Sequence, residues 1–154
     1  VTPEEVWKKL VEFAGSNMKC EAGSYFSVDE KEKMLTLEHA FGDFAGDISN
    51  LSFSFQGIVG WCAEHKAPII VNDVQTNPKF CVKVDKATGF TTKTVLAVPV
   101  LDGQAVVGVL ELMNRSFYHS GVFSEEDRDT LEMLVFMGLK MSKSIAKAAL
   151  PPPP

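Results

Sequence analysis

The chain is expected to be an α+β domain: a central antiparallel β-sheet with the N- and C-terminal helices packed on one face, and a polar flap with short helices forming a ligand pocket on the other. Three observations predict this. The residue patterns run helix, two strands, helix, strand, long polar connector, strand pair, long helix, an order that gives a sheet with segregated helices. Two apolar runs, 95–101 and 105–113, meet at Asp102-Gly103, a dipeptide suited to the tight turns of hairpins. With 154 residues, 45% of them hydrophobic and eleven of them Phe, the chain has material for a single filled core. One domain is therefore placed over residues 1–150.

Each element has a local reason. Thr2-Pro3-Glu4-Glu5 offers a capping hydroxyl, a proline at the first helical position and a carboxylate three residues after the cap, with Gly15 as the expected stop. Residues 22–29 and 34–40 alternate in polarity around the charged turn DEKEK and read as an antiparallel hairpin, followed by a Gly- and Asp-rich loop over 42–50. Over 56–66, Ile58, Trp61, Cys62 and His65 share a helical stripe, and Pro68 ends that helix ahead of the β-branched run Ile69-Ile70-Val71. Residues 72–90 form a long connector rich in Pro, Gly, Asn and Thr, of the kind that serves as a lid. Ser124 caps an acidic first turn, and lysines close the same helix near Leu150.

That last helix carries Leu131, Leu134, Gly138, Met141, Ile145 and Ala148 at heptad spacing. Its first half reads as packing on the sheet. Its continuation predicts a second partner, the same helix of another copy, and hence a homodimer through the terminal helices. Pro151–Pro154 cannot continue a helix and reads as a linker stub, with an output domain of the same polypeptide expected beyond it or before Val1.

Composition excludes several partners. The net charge of −5 and the absence of a Lys/Arg block argue against nucleic acid and anionic membrane surfaces. No apolar run of about 18 residues is present, and VTPEEVWKKL lacks a signal-peptide core, so a cytoplasmic location is expected. Cys20, Cys62 and Cys81 are odd in number and far apart, and His39, His65 and His119 are isolated, so neither a disulfide framework nor a metal site is expected.

The connector and the strands after it carry the candidate chemistry. Asp85, Thr88, Thr92 and Thr94 are a carboxylate and three hydroxyls able to address a polar ligand. They have a second reading as caps for loop amides, which Asp and Thr commonly satisfy, and both readings stand. Glu111 follows Val107 and Val109 and precedes Met113 in alternation, which sets a carboxylate on a face shared with hydrophobic residues. If that face is covered, the carboxylate needs a partner or a ligand.

The segments FCVKVDKATGFTTKTVLAVPV and GVLELMNR resemble the GAF domains of cyclic-nucleotide phosphodiesterases and related bacterial adenylyl cyclases, and the resemblance covers nearly the whole chain. It implies a regulatory sensory domain, not an enzyme, that binds a small molecule, with cAMP or cGMP as the specific candidate and no required cofactor. The positions carried over are Ile58 and Val59, whose amides would meet the cyclic phosphate, Ser24 and Phe41 at the purine, Asp85, Thr88 and Thr92 in the flap, and Glu111 on the sheet. Two positions depart from the binding members. Gly42 stands where an acidic residue often reads the base, and Cys81 where an aromatic contact is found. The family's strand-to-helix lock matches Asn114, Arg115, Phe123 and Asp127, with Arg128 in place of a final carboxylate.

Two other readings accompany this one. The domain could serve as a dimerisation and relay module without binding a cyclic nucleotide. A thiol reductase using Cys81 is the remote third, since no resolving cysteine lies beside it.

Overall fold

The computed structural model describes residues 1–42, 51–79, 91–116 and 120–153. Helix α1 spans Pro3–Asn17, and the Thr2 hydroxyl oxygen accepts from the Glu5 N–H at 3.2 Å, as the capping pattern predicts. The helix runs past Gly15, the expected stop. Gly15 is buried inside the helix because the Phe41 ring lies over it; a Cβ there would stand 1.8 Å from the end of that ring.

Strands β1 (Cys20–Asp29) and β2 (Met34–Phe41) form the expected hairpin. β3 (Ser52–Ser54) adds outside β2 and escaped the sequence reading, since three residues show no usable period. Helix α2 (Gly57–His65) and strand β4 (Ile69–Val71) follow, with Lys66 in the left-handed conformation between them. A single 3-10 turn, Val74–Thr76, opens the connector. β5 (Val95–Asp102) and β6 (Ala105–Arg115) pair around Gly103, whose φ of 65° confirms why a glycine follows Asp102. Helix α3 spans Glu125–Ala148.

The six strands form one antiparallel sheet in the order β3-β2-β1-β6-β5-β4. Its two faces carry separate cores, as alternation along each strand requires. On one face Trp7, Val11 and Ala14 of α1 and Leu131 and Val135 of α3 pack with Tyr25, Leu96, Val98, Leu110 and Leu112. Trp7 stacks on Tyr25 with ring centroids 4.8 Å apart. On the other face Ile58, Val59, Cys62 and Ala63 of α2 pack with Phe26, Leu35, Leu37, Val109 and Met113.

The buried stripe of α2 thus differs from the expected one. Val59 and Ala63 replace Trp61 and His65, which stack on each other at 4.3 Å on the outer side of the helix. The α3 seam is also redrawn. Leu131 and Gly138 are buried, and a Cβ on Gly138 would come within 2.5 Å of Leu10 and 3.2 Å of Trp7, so α1 occupies that groove. Met141, placed by the heptad on the same seam, is 56% exposed. The uncovered row runs instead through Met133, Met137 and Met141, at i, i+4 and i+8. No helix among the described residues is long and apolar enough to cross a membrane.

Candidate ligand site and the adjoining lock

Candidate residues on β1 and β6 lie on the α2 face of the sheet. Ser24 on β1 and Glu111 on β6 are direct register partners, and Glu111 is paired across its other edge with Ala97 of β5. Ala22 and Phe26 on β1 and Val109 and Met113 on β6 flank them in alternation and belong to the α2-side core. The face that sequence alternation left unassigned for Glu111 is therefore the one covered by α2. Ser24 is buried and Glu111 half-buried, a hydroxyl beside a carboxylate on an otherwise apolar surface.

α2 opens at Gly57, whose φ of 71° lets the chain turn sharply into the helix, and Gln56 supplies no side-chain cap. The amides of Ile58 and Val59 fall in the first turn, outside the helix's own hydrogen-bond ladder, at its positive end. Their side chains are core residues, so any contact with a ligand falls to their backbone. One turn further along, burial raises the pKa of the Cys62 thiol, and the nearby Glu111 carboxylate raises it further. Thr92 is buried with its hydroxyl 4.0 Å from the Met113 sulfur, and its carbonyl accepts from the Gln75 amide at 2.6 Å.

The structure thus gathers Ser24, Ile58, Val59, Thr92 and Glu111 around one face. It does not place Phe41 there. Phe41 is across from Gly23 in the β1–β2 register and packs on the α1 side, its ring against Gly15 and Gly23, so the expected purine contact is corrected to a helix-packing contact. Gly42 also gains a local reason. Its φ is 115°, and a Cβ would stand 2.6 Å from the Glu21 carbonyl oxygen, which excludes an acidic side chain in this backbone. Cys81, Asp85 and Thr88 lie outside the described residues.

The residues assigned to the lock lie at the junction of β6 and α3. The Arg115 guanidinium pairs with Asp127, each side chain only 16% exposed, and Asp127 also accepts from the Ser124 N–H at 2.9 Å while its own N–H donates to the Ser124 hydroxyl at 3.2 Å. One carboxylate therefore closes both an ion pair and a reciprocal helix cap. Asn114, with φ 59°, aims its side chain at the connector: Oδ1 accepts from the Lys93 and Thr94 amides at 2.6 and 3.2 Å, and Nδ2 donates to the Thr91 carbonyl at 2.9 Å. Buried Phe123 is held by Asn72, which donates to its carbonyl at 3.1 Å and accepts from its N–H at 2.9 Å.

Asn72 was invisible in the sequence because its partner lies 51 residues away and no motif marks it. Thr94, read there as a flap hydroxyl, accepts from the Arg115 N–H at 3.0 Å and belongs to the lock.

The geometry is thus a covered, mostly apolar sheet face carrying a few polar groups, beside a hydrogen-bonded junction at the root of a long helix. The chain belongs to the GAF domain family, which it matches over residues 1–136. It is 28% identical over 153 residues to a probable 3',5'-cyclic phosphodiesterase, pde-5, of Caenorhabditis elegans, covering 92% of this chain and 20% of that protein. It is 36% identical over 98 residues to the dual 3',5'-cyclic-AMP and -GMP phosphodiesterase 11A of Takifugu rubripes, covering 61% of this chain and 10% of that one. The chain thus spans a fifth or less of these relatives. Among solved structures, the GAF domain of a phosphoenolpyruvate-protein phosphotransferase from Coxiella burnetii superposes with a TM-score of 0.78 at 20% identity, covering 97% of this chain and 88% of that one, and shares its fold.

Proposed function

We propose that this GAF domain is a regulatory sensor that binds a cyclic nucleotide, cAMP or cGMP, on the α2 face and passes occupancy to α3 and an output domain of a longer signalling protein. The observation that carries the reading is the register pairing of Ser24 with Glu111 on the apolar face that α2 covers. A helix N-terminus suits a cyclic phosphate monoanion, and a carboxylate with a hydroxyl suits purine N–H and ribose groups. The phosphodiesterase relatives support the ligand class.

The relay runs through adjacent residues. Asn114 grips the end of the connector at 91–94, and Arg115 grips the cap of α3, so a ligand that repositions the connector pulls on both through one turn of backbone. Thermal unfolding with cAMP, cGMP and a cyclic dinucleotide tests the proposal. A ligand that binds only the native state at about 100 times its Kd adds about 2.7 kcal/mol. One cyclic nucleotide should stabilise the domain, and Glu111→Gln should abolish most of that gain. If none stabilises it after removal of any co-purified ligand, the cyclic-nucleotide reading fails.

A second reading, a dimerisation and relay module without cyclic-nucleotide binding, is favoured by the exposed Met133, Met137 and Met141 row. The thiol-reductase reading gains nothing from Cys20 and Cys62, since burial keeps both thiols protonated at neutral pH.

A further inference from the structure

We propose that the methionine row of α3 is a peroxide-sensitive modification site that controls pairing of this chain with a second copy. The six methionines are sorted by depth. Met18 and Met113 are buried, one in each core, and Met34 is half-buried at the start of β2, whereas Met133, Met137 and Met141 are 64%, 56% and 56% exposed. At i, i+4 and i+8 the three exposed thioethers share one face of the helix, with the exposed Phe136 ring beside them. Neither α1 nor the sheet covers that face: Leu10 and Trp7 of α1 meet the helix at Gly138, and Leu131 and Val135 face the sheet. A contiguous apolar strip on an otherwise charged helix marks an interaction surface. α3 also supplies its own complement, with Glu125 and Glu126 at its start and Lys140 and Lys147 toward its end, so an antiparallel copy sets acid against base while the methionines meet.

The sulfur atoms that build this surface are also where it is rewritten. Methionine sulfur attacks one oxygen of hydrogen peroxide; the O–O bond breaks, an S–O bond forms as the sulfur gives up two electrons, and the second oxygen leaves as water with both peroxide protons. The sulfoxide is polar and accepts hydrogen bonds from water, and that hydration must be stripped before an apolar contact can form. Because the row lies outside both cores, oxidation spares the fold and removes the association surface. Two-electron reduction by a thiol-dependent sulfoxide reductase returns the oxygen as water and restores the row. The switch rests on self-association through this row, the second reading given above.

Graded hydrogen peroxide, with peptide mass mapping and sedimentation equilibrium on the same samples, is the test. One added oxygen is expected at each of Met133, Met137 and Met141 ahead of Met18 and Met113, with loss of the dimer as those three sites fill. Raising the protein concentration beforehand should slow oxidation along the row, where the second copy covers it, but not at Met34 on β2. The triple variant Met133→Leu/Met137→Leu/Met141→Leu keeps the row apolar at similar volume, so it should stay dimeric and ignore peroxide. A dimer that survives full oxidation of the row, or a triple variant that dissociates under peroxide as the native chain does, would overturn the switch and leave self-association standing. A native chain that is monomeric at every concentration would overturn both.

Discussion

At the scale of single residues, Phe41 shows where reading by position and reading by geometry part. Its place near the end of β2 suggested a ring stacked on a base. The β1–β2 register irregularity between Tyr25 and Phe26, which no sequence period reveals, pairs Phe41 with Gly23 and sends its ring to the α1 side. Because that ring fills the space over Gly15, Gly15→Ala should destabilise the domain by about 1–3 kcal/mol through overpacking, measured by urea denaturation. Phe41→Ala in the same background should relieve the clash, so the two changes should be strongly non-additive. Additive losses would show that the ring does not sit there.

The cysteines give a pH prediction. Burial pushes the Cys20 thiol from its ordinary 9.0 up to about 12, with Arg115 pulling it down and Asp127 adding to the rise. A folded-state pKa above the unfolded value means that the unfolded chain loses its proton first, so stability is full below about pH 9 and declines as pH climbs towards 12. Cys62 and Tyr25, whose pKa values burial also raises, act in the same direction. Melting temperatures measured from pH 8 upward should fall, and Cys20→Ala should flatten part of that decline. A melting temperature that holds level across this range would contradict the buried-thiol assignment.

At the scale of elements, legibility followed the length of the local signal. The caps of α1 and α3, the 102–103 turn and the two hairpins are short-range chemistry and stood in the sequence as they stand in the fold. β3 was too short, and the buried stripe of α2 depended on which side the sheet lay. The lock was legible as a set of residues but not as a mechanism, because Asn72, Thr94 and the Asn114 grip on the connector are contacts across 20 residues or more. Asp127 joins the parts. Asp127→Ala removes a helix cap, worth about 1 kcal/mol, and strands a partly buried guanidinium, for a total of about 2–4 kcal/mol. If Asp127 also carries the relay, the variant should keep its ligand-induced gain in stability yet lose the ligand-dependent change in amide exchange at the start of α3. Retention of that change would place the relay elsewhere.

At the scale of the whole molecule, the sheet separates two cores: one face packs against α2, and the other against α1 and α3. Of the candidate site, the sequence showed which residue types were available, while the face that gathers Ser24, Thr92 and Glu111 emerged only from cross-strand register. The helix face leaves Met133, Met137 and Met141 more than half exposed along α3. A second copy of this chain is the occupant we propose for the row. α3 carries Glu125 and Glu126 in its first turn and Lys140 and Lys147 toward its end, while Asp127 is held by Arg115 and Lys143 by Asp102, so two α3 helices laid antiparallel bring the remaining opposite charges together along a shared methionine stripe. Sedimentation equilibrium should then show a dimer for the native domain and a monomer for Met137→Glu, with the melting temperature of the dilute monomer little changed because the side chain is exposed. High salt should weaken the native dimer by screening the charged ends. A native domain that stays monomeric at every accessible concentration would assign the row to another partner, and a salt-insensitive dimer would rule out the antiparallel arrangement.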